Sequence, residues 1–496
     1  LTVTFRADGS SKFAPSNRWG YFPAAALGWR MSEEAFLNDV NWLDNLKLRV
    51  SYGEVGNDGI NSSLWSQNWE STSDKRYQGA VNGTFLPSYS LGADMANKDL
   101  KWETTITRNI GVDFGFFNSR LTGTIDAYWN TTKDLLMKTA IPGITGFTST
   151  YANVGQTSNK GVEIALQGVL VKTRDWNVTA GFNINFNRGK VDKLADNVTG
   201  LYGTEWATSS TFPKSDYVLK EGRPVGLVRG LTADGFYTTD DFTYENGVYT
   251  LKKGVADVSS AVFPNYHLHN GINERPAGQL AYPGMAKFKD LNDDGIINDD
   301  DVDVIGDMTP VHTGGFNINA TYKNFDLGLY FNWSYGNEIY NVNKLAALYG
   351  YKEGAVYENK LSIVKDCYKI YDVVNGELVA LTTPEQLNAA NANAKLPLAY
   401  SENGYVSTLG IEDGSYLRLN TLTLGYTLPK SILQKAGISN LRVYGSIYNV
   451  FTITGYSGID AEVSTSTSTK TYPQLGMDWG TYPRARSFVL GVNLSF

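Results

Sequence analysis

The last thirteen residues, Arg484 to Phe496, constrain the fold of this chain more than any other stretch. Phe488, Leu490, Val492, Leu494 and Phe496 alternate with Ser487, Val489, Gly491, Asn493 and Ser495. Side chains of an extended strand point to opposite faces in turn, so this segment has one greasy face and one small or polar face. It also finishes on a bare aromatic. A soluble sheet seldom leaves such an edge unprotected, because it recruits further strands. A membrane barrel requires such strands, with apolar side chains toward lipid and polar ones toward the lumen.

The same alternation recurs along the chain. Leu1, Val3 and Phe5 alternate with Thr2, Thr4 and Arg6; Leu46, Leu48, Val50 and Tyr52 alternate with Lys47, Arg49, Ser51 and Gly53. Hairpins are expected around Asn118-Ser119, around Thr173-Arg174-Asp175 and at Lys323-Asn324, each flanked by two alternating runs. Tyr416 to Tyr426 carries a phase slip at Asn420-Thr421 that predicts a bulge. Ser32-Glu33-Glu34 predicts a capped short helix leading to Leu43, and Pro429 to Gly437 a helical connector. The pattern predicts about twelve strands. Because Leu1 to Arg6 already reads as a strand, no signal peptide is expected in the chain.

The connections alternate in length. Short turns at one end face long loops at the other, at about 57–100, 134–157, 188–312, 336–415 and 453–483. That asymmetry is the habit of outer-membrane barrels, whose long loops are extracellular. Trp129, Trp176 and Trp333 near strand ends suit an interfacial girdle. A soluble sandwich would also alternate, but loops of that length would be unusual in it. The expected fold is all-β, a transmembrane antiparallel barrel.

Composition is compatible with this. The mean hydropathy of −0.27 looks water-soluble, but alternating strands dilute the apolar signal. No run of about 18 apolar residues is present, which excludes membrane-spanning helices. A net charge of −7 argues against a nucleic-acid partner. The one cysteine, Cys367, can form no internal disulfide and reads as an inert thiol.

Several stretches resemble the SusC/RagA family of TonB-dependent outer-membrane transporters. They are Asp8-Gly9-Ser10-Ser11-Lys12-Phe13, Arg18-Trp19-Gly20-Tyr21-Phe22-Pro23, Leu46 to Gly53, Leu100-Lys101-Trp102-Glu103-Thr104 and Lys160-Gly161-Val162-Glu163. The most specific block is Tyr416-Leu417-Arg418-Leu419 through Leu424-Gly425-Tyr426, followed by Tyr448-Asn449-Val450-Phe451, Tyr456-Ser457-Gly458-Ile459-Asp460 and Tyr482-Pro483-Arg484-Ala485-Arg486. Ala461 departs from the family's usual proline. The resemblance implies that residues 1–496 are the C-terminal part of a 22-stranded, plugged barrel, with signal peptide, plug and early strands absent. It further implies import of glycan breakdown products, or of peptides, without enzymatic activity. The implied partners are a SusD-like surface lipoprotein, TonB acting through the missing plug region, outer-membrane lipid and an oligosaccharide, with a dimer of transporter–lipoprotein pairs. The alternative class is a secreted β-rich carbohydrate-binding protein.

Few residues carry a chemical signature. Asp290-Leu291-Asn292-Asp293-Asp294-Gly295 and the residues up to Asp301 fit the spacing of an EF-hand loop. Asp290, Asn292 and Asp294, the Ile296 carbonyl and Asp301 would supply oxygen ligands to a structural Ca2+. Asp301 is shorter than the usual glutamate, and the bland alternative is an acidic solvated turn. His267-Leu268-His269 is a weak candidate metal pair, and no catalytic triad spacing exists. Trp65, Trp69, Tyr77, Trp206, Tyr340, Tyr349 and Tyr351 fall in the long loops, where aromatic faces could stack on sugar rings or simply pack against one another.

Overall fold

The computed structural model describes residues 1–72, 79–86, 88–92, 94–195, 198–207, 211–263, 275–348, 360–399, 404–434, 437–465 and 474–496. Twelve strands form one continuous sheet in which every strand is bonded antiparallel to its neighbours. They are β1 (Thr2–Gly9), β2 (Trp19–Arg30), β3 (Leu43–Asn57), β4 (Glu103–Phe116), β5 (Leu121–Lys133) and β6 (Gln156–Lys172). Then follow β7 (Trp176–Lys193), β8 (His312–Tyr322), β9 (Phe325–Tyr335), β10 (Tyr416–Thr427), β11 (Asn440–Thr454) and β12 (Ser487–Ser495). The spatial order is the chain order. β1 pairs only with β2 and β12 only with β11, so the two edges do not close on each other among the described residues.

Cross-strand pairing sorts the side chains into two faces. One row runs Lys47, Asp113, Thr124, Ala165, Asn183, Gly315 across β3 to β8. The adjacent row, one residue along, is Leu48, Val112, Ile125, Ile164, Ile184, Gly314. The first is hydrophilic or small and the second apolar, as period-two patterning requires. Phe488 and Leu490 on β12 remain 72% and 89% exposed, so nothing among the described residues covers the greasy face there. A soluble sandwich buries that face; a membrane wall leaves it to lipid.

Aromatic side chains line this outer face at both ends. At the short-turn end Trp176 packs on Tyr322 with centroids 4.4 Å apart, and Phe325 on Tyr426 at 4.7 Å. Toward the long loops Phe182 stacks on Trp333 at 5.6 Å, while the Trp333 Nε1–H donates to His312 Nδ1 at 3.0 Å. Amphipathic rings of this kind suit the membrane–water boundary.

The irregularity forms where it is expected: Asn420 is the extra residue opposite Tyr330 and Phe331 of β9, and on the β11 side the register slips again, with Asn449 and Val450 facing Asn420. The connector before β11 contains one helical turn, Lys430–Leu433, held by buried Leu433. The helix expected after Ser32 does not form. A single 3-10 turn at Met31–Glu33 stands there with no side-chain cap and no buried residue, so no apolar face exists to hold a longer helix.

The largest difference from the sequence-based expectation lies in the long connections. The described parts of segments 188–312 and 336–415 do not remain loops; together they build a packed cap with the largest buried core among the described residues. That core joins Leu231, Tyr237, Tyr249, Tyr282, Ile297, Leu387 and Tyr405. Beside it a four-stranded sheet of Leu201–Gly203, Tyr217–Leu219, Leu227–Leu231 and Val302–Asp307 contributes Leu231 to this core and Tyr217 and Val228 to a second one. The two segments are stitched by the parallel pair Thr211–Phe212 with Gly404–Tyr405 and by the Leu231 N–H donating to the Val406 carbonyl at 2.9 Å. Helices α1 (Val342–Leu348) and α2 (Pro384–Asn391) complete the cap. Thr383 caps α2 in a reciprocal box with Gln386.

Candidate functional site

The inner face of the wall is the first candidate surface. Arg49 spans β3 to β5: its Nε–H donates to Asp113 Oδ2 at 2.9 Å and its Nη1–H to Asp126 Oδ1 at 3.0 Å. The intervening residue is Gly111, where a Cβ would run into the Asp126 carboxylate and lie 2.6 Å from the guanidinium. Only glycine leaves the room. The arrangement is repeated at the other side of the wall, where Arg442 bonds Asp326 across Gly425. Amide pairs add to this face: Asn420 donates to Asn332 at 2.7 Å and Asn319 to Asn317 at 3.1 Å. A recess of about 630 Å³ opens by Asn45, Asp113, Thr122, Gln167, Asn183 and Asn317. Such a wall offers hydrogen bonds to a hydrated interior or to a polar domain seated within it.

The Asp-rich loop is closed by its own backbone. Asp290 Oδ2 accepts from Gly295 N–H at 2.7 Å, Asn292 Oδ1 from Asp294 N–H at 3.2 Å, and Asp294 Oδ1 from Ile296 N–H at 2.8 Å. Gly295 holds φ +86°, which a side chain would strain. Asp290, Asn292, Asp294 and Ile296 therefore share one tight loop. Asp301 does not join them. It is fully buried, and its carboxylate accepts from Leu291 N–H at 2.7 Å and Asn298 N–H at 2.8 Å, tying loop entry to exit. Among the described residues no three His, Cys, Asp or Glu side chains group as metal ligands. The donor set that fits calcium is thus three side chains plus carbonyls, without the bidentate carboxylate.

The predicted aromatics separate into two kinds. Tyr340 is completely buried, with its ring edge-on to Trp206 at 6.4 Å and to Tyr217 at 6.2 Å. Its expected role as an exposed stacking surface is corrected: these rings are cap core, brought together because the folded loops supply the apolar contacts lacking in isolated ones. Trp65 is half-buried. Trp69 is 67% exposed, on a two-stranded ribbon of Trp69–Thr72 with Ser88–Leu91. Register places Tyr89, 63% exposed, and Leu91 on its face. Sequence reasoning misses Tyr89, although the alternation Tyr89-Ser90-Leu91 signals it. Tyr77, Tyr349, Tyr351, His267 and His269 lie outside the described residues.

Charged groups buried in the cap are structural. Asp216 accepts from the backbone N–H groups of Glu205, Trp206 and Ala207 at 2.8, 2.8 and 3.0 Å. Burial raises its pKa and these bonds draw it back only in part. Burial likewise pushes the Cys367 thiol up to about 11, leaving it neutral and unreactive.

An open sheet with a lipid-facing exterior and a hydrophilic interior defines the wall of a membrane β-barrel. The model of the family "TonB dependent receptor-like, beta-barrel" matches residues 1–450, and the chain belongs to that family of outer-membrane proteins. It is 31% identical over 501 residues to TonB-dependent receptor P3 of Formosa agariphila and 31% identical over 505 residues to TonB-dependent receptor SusC of Bacteroides thetaiotaomicron. All of the chain is covered in both matches, against 44% and 42% of those proteins, so it spans less than half their length. A structure of the RagAB peptide transporter matches over the whole chain and 45% of its own, with TM-score 0.70 and 25% identity. The same system in its closed-closed state gives TM-score 0.71 at 24% identity.

Proposed function

We propose that the chain is the C-terminal wall and extracellular cap of a TonB-dependent importer of oligosaccharides. In this reading a longer polypeptide supplies the remaining strands, and a plug that contacts TonB. A SusD-like lipoprotein covers the cap, and transporter–lipoprotein pairs associate as dimers. No catalytic step is part of it. The observation that favours a glycan is the exposed ribbon that carries Trp69, Tyr89 and Leu91 on one face, where aromatic rings could stack on pyranose rings. The likeness to the RagAB peptide importer favours the second reading, a peptide cargo.

Calorimetry on the complete transporter with an oligosaccharide series and a peptide mixture separates them. Under the glycan reading oligosaccharides bind, and Trp69→Ala weakens them about three- to tenfold, the value of one lost aromatic contact. Peptide binding with no response to oligosaccharides would sink it.

We also propose that Asp290, Asn292, Asp294 and the Ile296 carbonyl hold a structural Ca2+ that rigidifies the cap. Calcium titration followed by thermal unfolding should stabilise the wild-type protein, and Asp294→Ala should abolish the shift. A shift that survives the substitution would place the ion elsewhere.

A further inference from the structure

Five side chains from five adjacent strands stand together on the outer face of the wall: Tyr52, Arg108, Trp129, Lys160 and Arg188. Direct pairing links Tyr52 to Arg108, Arg108 to Trp129, Trp129 to Lys160 and Lys160 to Arg188. The next row of the same face toward the short turns is Val50, Ile110, Ala127, Val162 and Phe186, all apolar. The greasy band therefore ends at this row, on the long-loop side that faces outward in such barrels. Strand tilt carries the row obliquely through the interface, so its cations sample a band of depths.

Three cations at the margin of a membrane are costly without partners. Within the protein these three find little. Arg108 Nη1–H reaches Thr131 Oγ1 at 3.4 Å, and Arg188 Nη1–H the Pro310 carbonyl at 2.8 Å. Exposed Lys160 has no hydrogen bond or ion pair among the described residues. Two carboxylates share the face. Glu54 accepts from the Tyr52 hydroxyl, and Asp192 is engaged by Lys190 at 3.1 Å, Ser158 at 2.9 Å and Gln156 at 3.2 Å. Neither pairs with the three cations.

We propose that Arg108, Lys160 and Arg188 bind the phosphate groups of anionic lipid headgroups in the outer leaflet, while Tyr52 and Trp129 set their depth. The inference rests on the outer-membrane placement of the wall and not on the identity of the cargo. Guanidinium forks match phosphate oxygens in bidentate fashion, and the ammonium adds a point charge between them. Indole and phenol rings favour the same interfacial level.

Native mass spectrometry of the complete detergent-purified transporter tests this with three probes: diphosphorylated lipid A, phosphatidylglycerol and zwitterionic phosphatidylcholine. The wild type should retain the two anionic lipids over phosphatidylcholine. K160Q should weaken that retention about fivefold and R108Q/K160Q/R188Q about a hundredfold, with phosphatidylcholine unaffected. Heat-modifiable gel mobility reports folding, and the single variants carry the test if the triple variant fails to fold. Equal retention by wild type and variants would overturn the proposal. So would displacement of the lipid by millimolar inorganic phosphate, which marks a free-anion site. A changed dimer fraction with unchanged lipid retention would also overturn it, by making the row a protein contact.

Discussion

Asp216→Ala is expected to open the cap around residues 204–207 and 211–219 at a cost of about 3–9 kcal/mol. The carboxylate is completely buried and is the acceptor for three consecutive backbone N–H groups. Alanine leaves all three without a partner in an apolar setting, and each such group costs about 1–3 kcal/mol. Asp216→Asn keeps one oxygen but turns an NH2 toward the remaining donors, so an intermediate loss is expected. The two variants differ in pH response. Burial raises the folded-state pKa of Asp216, so its protonation favours the folded cap. That contribution is complete below the ordinary carboxylate pKa and is lost as pH rises through the raised value. The asparagine variant should lack this dependence. Hydrogen exchange of 204–207 and 211–219 across acid pH measures both effects; wild-type protection in the alanine variant would refute the assignment.

Arg418→Ala should release the segment after β11 from the wall. The guanidinium is nearly fully buried and donates from Nε to Thr452 Oγ1 at 2.9 Å, from Nη1 to Glu462 Oε2 at 3.0 Å, and from Nη2 to Asp460. Without it Asp460 stays buried, with Arg484 at 3.5 Å and the Glu462 N–H at 2.9 Å as its remaining partners among the described residues. Breaking a buried pair from one side typically costs about 3–5 kcal/mol, and Arg484 places the expected loss toward the lower end. Lysine cannot reach three acceptors at once, so Arg418→Lys should recover only part. Arg484→Ala, at a half-exposed site, should change little. Exchange rates across 456–463 should rank the variants in that order, and an equal effect of Arg484→Ala would show the network to be organised differently.

The wall was legible in the sequence because its rule is local. Whether Leu490 and Asn493 point apart depends only on their spacing, and the same holds for every alternating run down to the slip at Asn420. The cap was not legible, because its contacts are remote in sequence. Leu231 meets Val406, and Trp206 meets Tyr340, across gaps that no periodicity reports. Tyr340 therefore read as a loop aromatic when it is core, and Asp216, one acid among many in a loop, carried no signal at all. The Asp-rich stretch shows both sides: Gly295 takes the left-handed turn its spacing demands, whereas Asp301 bonds the backbone on either side of the loop.

The division between wall and cap has a consequence for how such a chain can change. The wall is held by main-chain ladders, which survive most exchanges that respect the alternation of its faces, the clamp glycines Gly111 and Gly425 apart. The cap is held by interlocked rings and aliphatic groups, where a lost methylene is felt at once. Genetic drift should thus accumulate quietly along the strands, while new specificity must arrive by replacing cap segments whole.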